Sequence, residues 1–163
     1  MKAIACVDRF LGLGYKGNLL FNLHEDMVRF KELTTGNTVV MGYNTYKSLP
    51  HGALPNRRNI VLSQNHQIFD KNVVVLRSKK SLMKYLEKEN IDTNTVWVIG
   101  GSVIYKELID ECDEIFLTIV DDIRKADTFF VDISDWKAIL TEDCKEHEIR
   151  YQMQVLRRRN TDK

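Results

Sequence analysis

The stretch Val96-Trp97-Val98-Ile99-Gly100-Gly101-Ser102-Val103-Ile104-Tyr105 constrains this chain more than any other. Four apolar or aromatic residues with no polar face read as a strand whose sheet is covered by helices on both sides. The run stops on two glycines. Ser102 stands where it can cap a helix, with Val103, Ile104 and Leu108 as that helix's inward stripe, so the unit reads strand, tight turn, helix. Adjacent glycines admit a ligand or a second backbone at short range, and free amides at a helix start attract phosphate. Simple punctuation between strand and helix explains the same turn equally well.

At 163 residues the chain fits one domain, residues 1–163, with a core large enough to need no metal or disulfide staple. The 24 basic and 23 acidic side chains leave a net charge of +1, which gives no general attraction for nucleic acid or anionic membrane. Arg157-Arg158-Arg159 is the one concentrated basic run, and its terminal position reads as a solvated tail. Cys6, Cys112 and Cys144 are odd in number and widely spaced, as in a cytoplasmic protein with reduced thiols. His24, His51, His66 and His147 do not join them at ligand spacing, so no metal site is expected. No signal peptide or membrane span is legible.

Ala3-Ile4-Ala5-Cys6-Val7 reads as a buried strand. Gly12-Leu13-Gly14-Tyr15-Lys16-Gly17 matches the dinucleotide fingerprint by letter but not by context: no helix opens at its last glycine, and the next strand, Thr38 to Gly42, ends without an acid. It reads instead as a flexible loop able to close over a site. A helix follows from about His24 to Thr34, with Leu23, Met27, Phe30 and Leu33 as one buried stripe. Asp26 lies along the edge of that stripe. A carboxylate there either finds donors or has its pKa raised, which suits proton transfer, or it serves as a first-turn acid easing the helix N-terminus. The residues alone favour the second role.

Three further strands end in glycine, hydroxyl or amide groups: Thr38 to Gly42, Asn59 to Leu62 before Ser63-Gln64, and a fully buried Val73 to Leu76 before Arg77-Ser78. At the carboxyl edge of a parallel sheet such groups suit phosphates and ribose. Glu114 to Val120 is a long strand with Thr118 as its polar centre, Asp121 to Thr128 a charged loop, and the C-terminal segments Trp136–Leu140 and Glu148–Leu156 strands, the second alternating as an antiparallel edge does. The expected fold is α/β: a single domain with a central mixed, mostly parallel sheet of about eight strands flanked by four helices.

Taken together, Asn22-Leu23-x-x-Asp26, Phe30-Lys31, Val40-Met41-Gly42-x-x-Thr45, Leu54-Pro55-x-Arg57-x-Asn59, Leu62-Ser63, Val98-Ile99-Gly100-Gly101-x-x-Ile104-Tyr105, Leu117-Thr118 and Asp127-Thr128-x-Phe130 resemble the dihydrofolate reductase family from end to end. The resemblance implies NADPH-dependent reduction of dihydrofolate to tetrahydrofolate, with Asp26 pairing with the pteridine and helping to protonate its imine. Thr118 would steady that carboxylate. Ile4, Ala5 and Ile99 would border the pteridine, Met27, Phe30, Lys31, Leu49 and Leu54 the rest of the substrate, and Arg57 would take its α-carboxylate. The resemblance places the cofactor along Ala5, Cys6, Gly14, Asn18 and Leu19, then Gly42, Tyr43, Asn44 and Thr45. It adds Leu62, Ser63, Gln64, Arg77 and Ser78 at the adenosine end, and Ile99, Gly100, Gly101, Ser102, Val103, Ile104 and Tyr105 at the pyrophosphate and nicotinamide. It also implies a cis peptide between Gly100 and Gly101, antifolate inhibitors as further ligands, and a monomer.

The chain departs from the family pattern in places. Leu20-Phe21 stands where Pro-Trp is usual, so Phe21 occupies the position of an indole that helps hold a water. His24 replaces a proline, and Tyr43 and Val103 replace arginines used against cofactor phosphates, which leaves preference for NADPH to Arg77, Ser63, Gln64 and Ser78. Two other functions compete: a reductase for a pyrimidine intermediate of riboflavin synthesis, which needs neither Asp26 nor Arg57, and a non-catalytic nucleotide-binding module.

Overall fold

The computed structural model describes residues 1–159. Its eleven strands are β1 (Lys2–Val7), β2 (Gly12–Tyr15), β3 (Asn18–Leu19), β4 (Thr38–Gly42), β5 (Arg58–Leu62), β6 (Val73–Leu76), β7 (Val96–Gly100), β8 (Glu114–Val120), β9 (Thr128–Phe129), β10 (Trp136–Glu146) and β11 (Ile149–Arg158). The four α-helices are α1 (His24–Thr34), α2 (Tyr43–Ser48), α3 (Lys79–Lys88) and α4 (Ser102–Leu108). Eight strands form the main sheet in the order β10-β11-β8-β1-β7-β4-β5-β6. Every pairing from β8 to β6 is parallel, and only β11 with its neighbours is antiparallel. The expected mixed, mostly parallel sheet with four helices is therefore present.

The apolar runs occupy the centre. Val39, Val40, Met41, Val96 and Val98 are fully buried, as strands covered on both faces require. In β1 the period of two divides the side chains: Ala3, Ala5 and Val7 enter the larger core with Ile104, Leu108 and Leu117, while Ile4 and Cys6 face the other side of the sheet.

Several expectations are corrected. Val73–Leu76 is half-buried throughout, because β6 is the sheet's edge. Ser102 is the first residue of α4 and makes no capping bond; Gly101 holds the cap position, and its carbonyl accepts from the Tyr105 amide at 2.9 Å. Val103 is 72% exposed, so the inward stripe of α4 is Ile104, Tyr105 and Leu108.

The glycine loop is not free chain. β2 pairs with β3 and with β9, a strand within what reads as charged loop, to form a second, three-stranded sheet. The arginine run is not a solvated tail either. Arg157 pairs with Glu114 at 2.8 Å, Arg158 donates to the Ile109 carbonyl and lies 4.4 Å over Trp136, and Arg159 donates to the Ser134 carbonyl. The stripe of α1 is buried only at Leu23: Phe30 and Leu33 are half-buried, and Met27 is 59% exposed. The apolar face of this helix therefore stays partly open.

Candidate active site

The N-terminus of α1 is served by another residue than Asp26. The Glu146 carboxylate accepts the His24 amide at 2.9 Å and the Glu25 amide at 3.1 Å, which satisfies two of the free donors of the first turn and holds that carboxyl below the usual range. Glu146 lies 122 residues from His24 in sequence, which hid it from local reading. Asp26 is thereby free for another role. It turns toward the sheet, where the Thr118 hydroxyl of β8 donates to its Oδ1. Burial pushes the Asp26 pKa up, opposed by the Thr118 hydroxyl, the nearby Arg29 guanidinium and the Cys6 thiol.

A buried acid with a raised pKa weakens the fold when ionised. Its contribution is fully present below the unfolded-state pKa and is lost as pH rises through the higher folded-state value. Asp26→Asn keeps the oxygen that accepts from Thr118 and removes the charge. The variant is expected to have a higher Tm than the parent at about pH 8, with the difference shrinking toward about pH 4, as calorimetry of the ligand-free protein would measure.

Beside Asp26, Ile4 of β1 turns its carbonyl to the Tyr105 hydroxyl at 2.6 Å, which fixes the edge where β1 and β7 meet. Ile4, Ile99, Leu49 and Leu54 are half-buried together with Leu33 and Phe116 and form an apolar wall. Ala5 points into the opposite core. Arg57 donates from Nη1 to the Thr34 hydroxyl at 3.0 Å and from Nε to the Pro55 carbonyl at 2.9 Å. Thr34 ends α1, and at 1.5 Å per residue it lies about 12 Å along the helix from Asp26. α1 thus has a carboxylate near its start and a guanidinium at its end, with Met27, Phe30 and the exposed Lys31 between them. Asn59, 1% exposed, holds the Arg57 loop: its amide accepts from the Leu54 amide and donates to the carbonyls of Leu54 and Arg57. Nothing local marks this role, because Asn59 sits inside a strand.

The glycine corner lies across the sheet edge. Gly100-Gly101 is a cis peptide, as expected from the resemblance. A Cβ on Gly42 would come within 2.9 Å of Ile104 Cγ1, so close packing of α4 requires glycine there. Thr45 Oγ1 lies 3.4 Å and 3.6 Å from the Cβ positions of Gly100 and Gly101. These residues and Leu62 come together; Asn44 and Val103 stand exposed at the margin.

Farther along, Arg77 Nη1 donates to the carbonyls of Ser63 and His66, and the Ser63 hydroxyl meets His66 Nδ1 at 2.8 Å. His66 stacks on Tyr43 with ring centroids 3.6 Å apart and planes 7° from parallel. His66 was not singled out in sequence, since nothing local marks it. The exposed Gln64 adjoins this group. Ser78 caps α3, accepting from the Ser81 amide at 3.1 Å.

The loop carrying Phe21 is held from the β8–β9 connection. Asp8, 1% exposed, accepts the amides of Phe10, Gly12 and Arg124. Arg124 then reaches the Leu20 carbonyl at 2.7 Å and lies 4.4 Å over the Phe21 ring, which is buried. Asp127 ties Lys16 and Gly14 in the β2–β3 hairpin, on which Asn18 and the 78% exposed Leu19 are outermost. Neither Asp8 nor Arg124 follows a recognisable motif.

Comparison with known proteins agrees with this geometry. The family profile for dihydrofolate reductase matches residues 1–159. The bifunctional dihydrofolate reductase-thymidylate synthase of Paramecium tetraurelia is 33% identical over 155 residues, covering 92% of this chain but 33% of its own length, so this chain spans about a third of that relative. The dihydrofolate reductase of Staphylococcus aureus is 30% identical over 138 residues, covering 83% of this chain and 82% of the relative. Among solved structures, dihydrofolate reductase from Enterococcus faecalis, complexed with NADP(H) and RAB-propyl, superposes with a TM-score of 0.85 at 33% identity over 98% of this chain and 96% of that one. With the profile, the relatives and the fold in agreement, the chain belongs to the dihydrofolate reductase family.

Proposed function

We propose that this chain, as one domain over residues 1–163, reduces 7,8-dihydrofolate to 5,6,7,8-tetrahydrofolate with NADPH, with Asp26 assisting protonation of the pteridine imine. The observation that carries this reading is the half-buried Asp26 carboxylate, hydrogen-bonded to Thr118, at the head of a cleft that ends at Arg57.

The residues present fit a reduced dinucleotide. The glycine-lined corner of Gly42, Gly100 and Gly101 with Thr45, Ser102 and Ile104 would hold the central part, and Ser63, Gln64, His66 and Arg77 with Tyr43 the adenosine end. Bound there, NADPH supplies the hydride. Asp26 holds the pteridine amino group and adjacent ring nitrogen in a two-point hydrogen bond, which fixes the ring's register in the cleft. A pKa raised by burial suits it to share in proton delivery, so that a solvent proton reaches the imine nitrogen and makes the neighbouring carbon a better hydride acceptor. Thr118 orients Asp26; Ile4 and Ile99 present carbonyls to the ring; Arg57 binds the distal α-carboxylate. Phe21, under Arg124, closes the water-facing side. Folate-mimicking diaminopyrimidines would pair with the same carboxylate.

Arg124→Ala removes the guanidinium from Phe21 and from the Leu20 carbonyl. It is expected to raise the KM for NADPH about threefold to tenfold, measured in steady state, because the loop no longer rests closed. We further propose a cytoplasmic monomer without nucleic-acid partners, a reading supported by three unpaired thiols and a net charge of +1. The test of the activity is loss of reduced-nicotinamide absorbance on adding dihydrofolate. Loss with an aminopyrimidine substrate alone would instead indicate the riboflavin-type reductase, and no loss with either would leave a binding module.

A further inference from the structure

The first turn of α1 is capped from near the other end of the chain. The β10–β11 hairpin reverses at His147, whose φ is 56°, and leaves Glu146 as the last residue of β10. Cys144 and Ile149 from this hairpin, with the buried Tyr151, pack in the same apolar cluster as Leu23, the cap residue of α1. That contact seats the hairpin on the start of the helix. Glu146 then presents one oxygen to each of two consecutive amides, Oε2 to His24 and Oε1 to Glu25, where Leu23 itself makes no side-chain capping bond. Asp26 is the next residue. From that arrangement we infer that Glu146 is a positioning residue for the reaction: its negative charge offsets the partial positive charge at the N-terminus of α1, which would otherwise favour ionised Asp26, and so keeps Asp26 protonated to higher pH. This rests on the reading of Asp26 given above and deepens it.

The sign follows from the helix. Free amides at a helix start carry about half an elementary charge, and their influence falls off within the first turn. Asp26, the third residue of α1, lies inside that turn. Left alone, the helix end would draw its carboxyl toward the ionised form, as it does any first-turn acid. Glu146 meets the first two amides instead, and because they hold its own carboxyl below the usual range, its charge is present throughout the working pH range. That charge also acts on Asp26 directly, as a like charge that disfavours ionisation. The two effects have the same sign, and both vanish when Glu146 is made neutral. The other titratable or charged groups around Asp26 are Glu25 and Arg29 on α1, Cys6 on β1, Cys144 on β10, Tyr151 on β11 and Tyr105 on α4. Around Glu146 they are His24 on α1 and His147 at the turn. None of these is altered by substitution at position 146.

The test is carboxyl-carbon NMR titration of Asp26 in the ligand-free protein, comparing the parent, Glu146→Gln, Glu146→Ala and Glu148→Gln. Glu146→Gln keeps the length of the side chain and one acceptor oxygen but removes the charge, and the apolar contacts that seat the hairpin are untouched. The Asp26 midpoint is expected to move to lower pH in both Glu146 variants. Glu148→Gln, which removes an exposed acid that meets neither amide, is expected to leave it in place. Single-turnover hydride transfer is expected to follow the same proton: in Glu146→Gln about twofold to fivefold slower than in the parent at about pH 8, converging on the parent rate toward about pH 5. An Asp26 midpoint unmoved or raised in Glu146→Gln would overturn the proposal, as would an equal fall in Glu148→Gln. A fall confined to Glu146→Ala would overturn it too, since it would report displacement of α1 and not charge. Because the NMR measurement uses the ligand-free protein, failure here is distinguishable from failure of the parent to reduce dihydrofolate.

Discussion

Asp26→Asn is expected to lower hydride-transfer turnover at neutral pH by on the order of 10²- to 10⁴-fold, the range a positioned acid or base contributes. The amide still accepts from the Thr118 hydroxyl, so the cleft keeps its shape and the loss reports chemistry. It cannot offer two acceptor oxygens to an amino group and a ring nitrogen, and it cannot share a proton. Among the described residues that line the pteridine end, Asp26 is the acid placed for this work: Glu146 is committed to the amides of His24 and Glu25, and Glu25 is exposed on the outer side of the helix. Single-turnover absorbance measurements isolate the chemical step from product release.

Arg57→Ala is expected to raise the KM for dihydrofolate about 30- to 300-fold while leaving kcat within a few-fold, because a distal carboxylate is bound alike in the ground and transition states. The magnitude corresponds to about 2 to 3 kcal/mol for a charge-assisted pair that is only half-buried. The guanidinium is already oriented by Thr34 and Pro55 and its loop is locked by Asn59, so little ordering remains when substrate arrives. Arg57→Lys is expected to recover only part of the loss, since an ammonium lacks the planar fork. Steady-state kinetics with dihydrofolate varied separates the two parameters.

What the amino-acid pattern disclosed follows from how local the controlling physics is. The buried runs of β4, β5 and β7 and the span of α1 are properties of adjacent residues, and they are readable. The residue set proposed for the site comes from the resemblance, and Asp26 on residue pattern alone favours a helix-end role. That role falls to Glu146, through a contact between the C-terminal hairpin and α1 that no window along the chain contains. Similarly, Asp8 and Arg124 act across more than a hundred residues to hold Phe21, and the stack of His66 on Tyr43 depends on two strands ending side by side. The glycine stretch reads as a flexible loop because its partner, Thr128–Phe129, is too short to carry a strand signature of its own. Ser102 was misplaced by a single position, since Gly101 takes the cap and packs beside Thr45.

The most direct test of the account is the rate of single-turnover hydride transfer from NADPH to dihydrofolate across about pH 5 to about pH 9, in the parent and in Asp26→Asn. The account predicts a parent profile that levels off at low pH and declines as pH rises through a value above the ordinary carboxylate range, and a variant profile that keeps climbing toward acid because only bulk protons serve it. Two profiles of the same shape and height would contradict it, and would remove Asp26 from the proton's path.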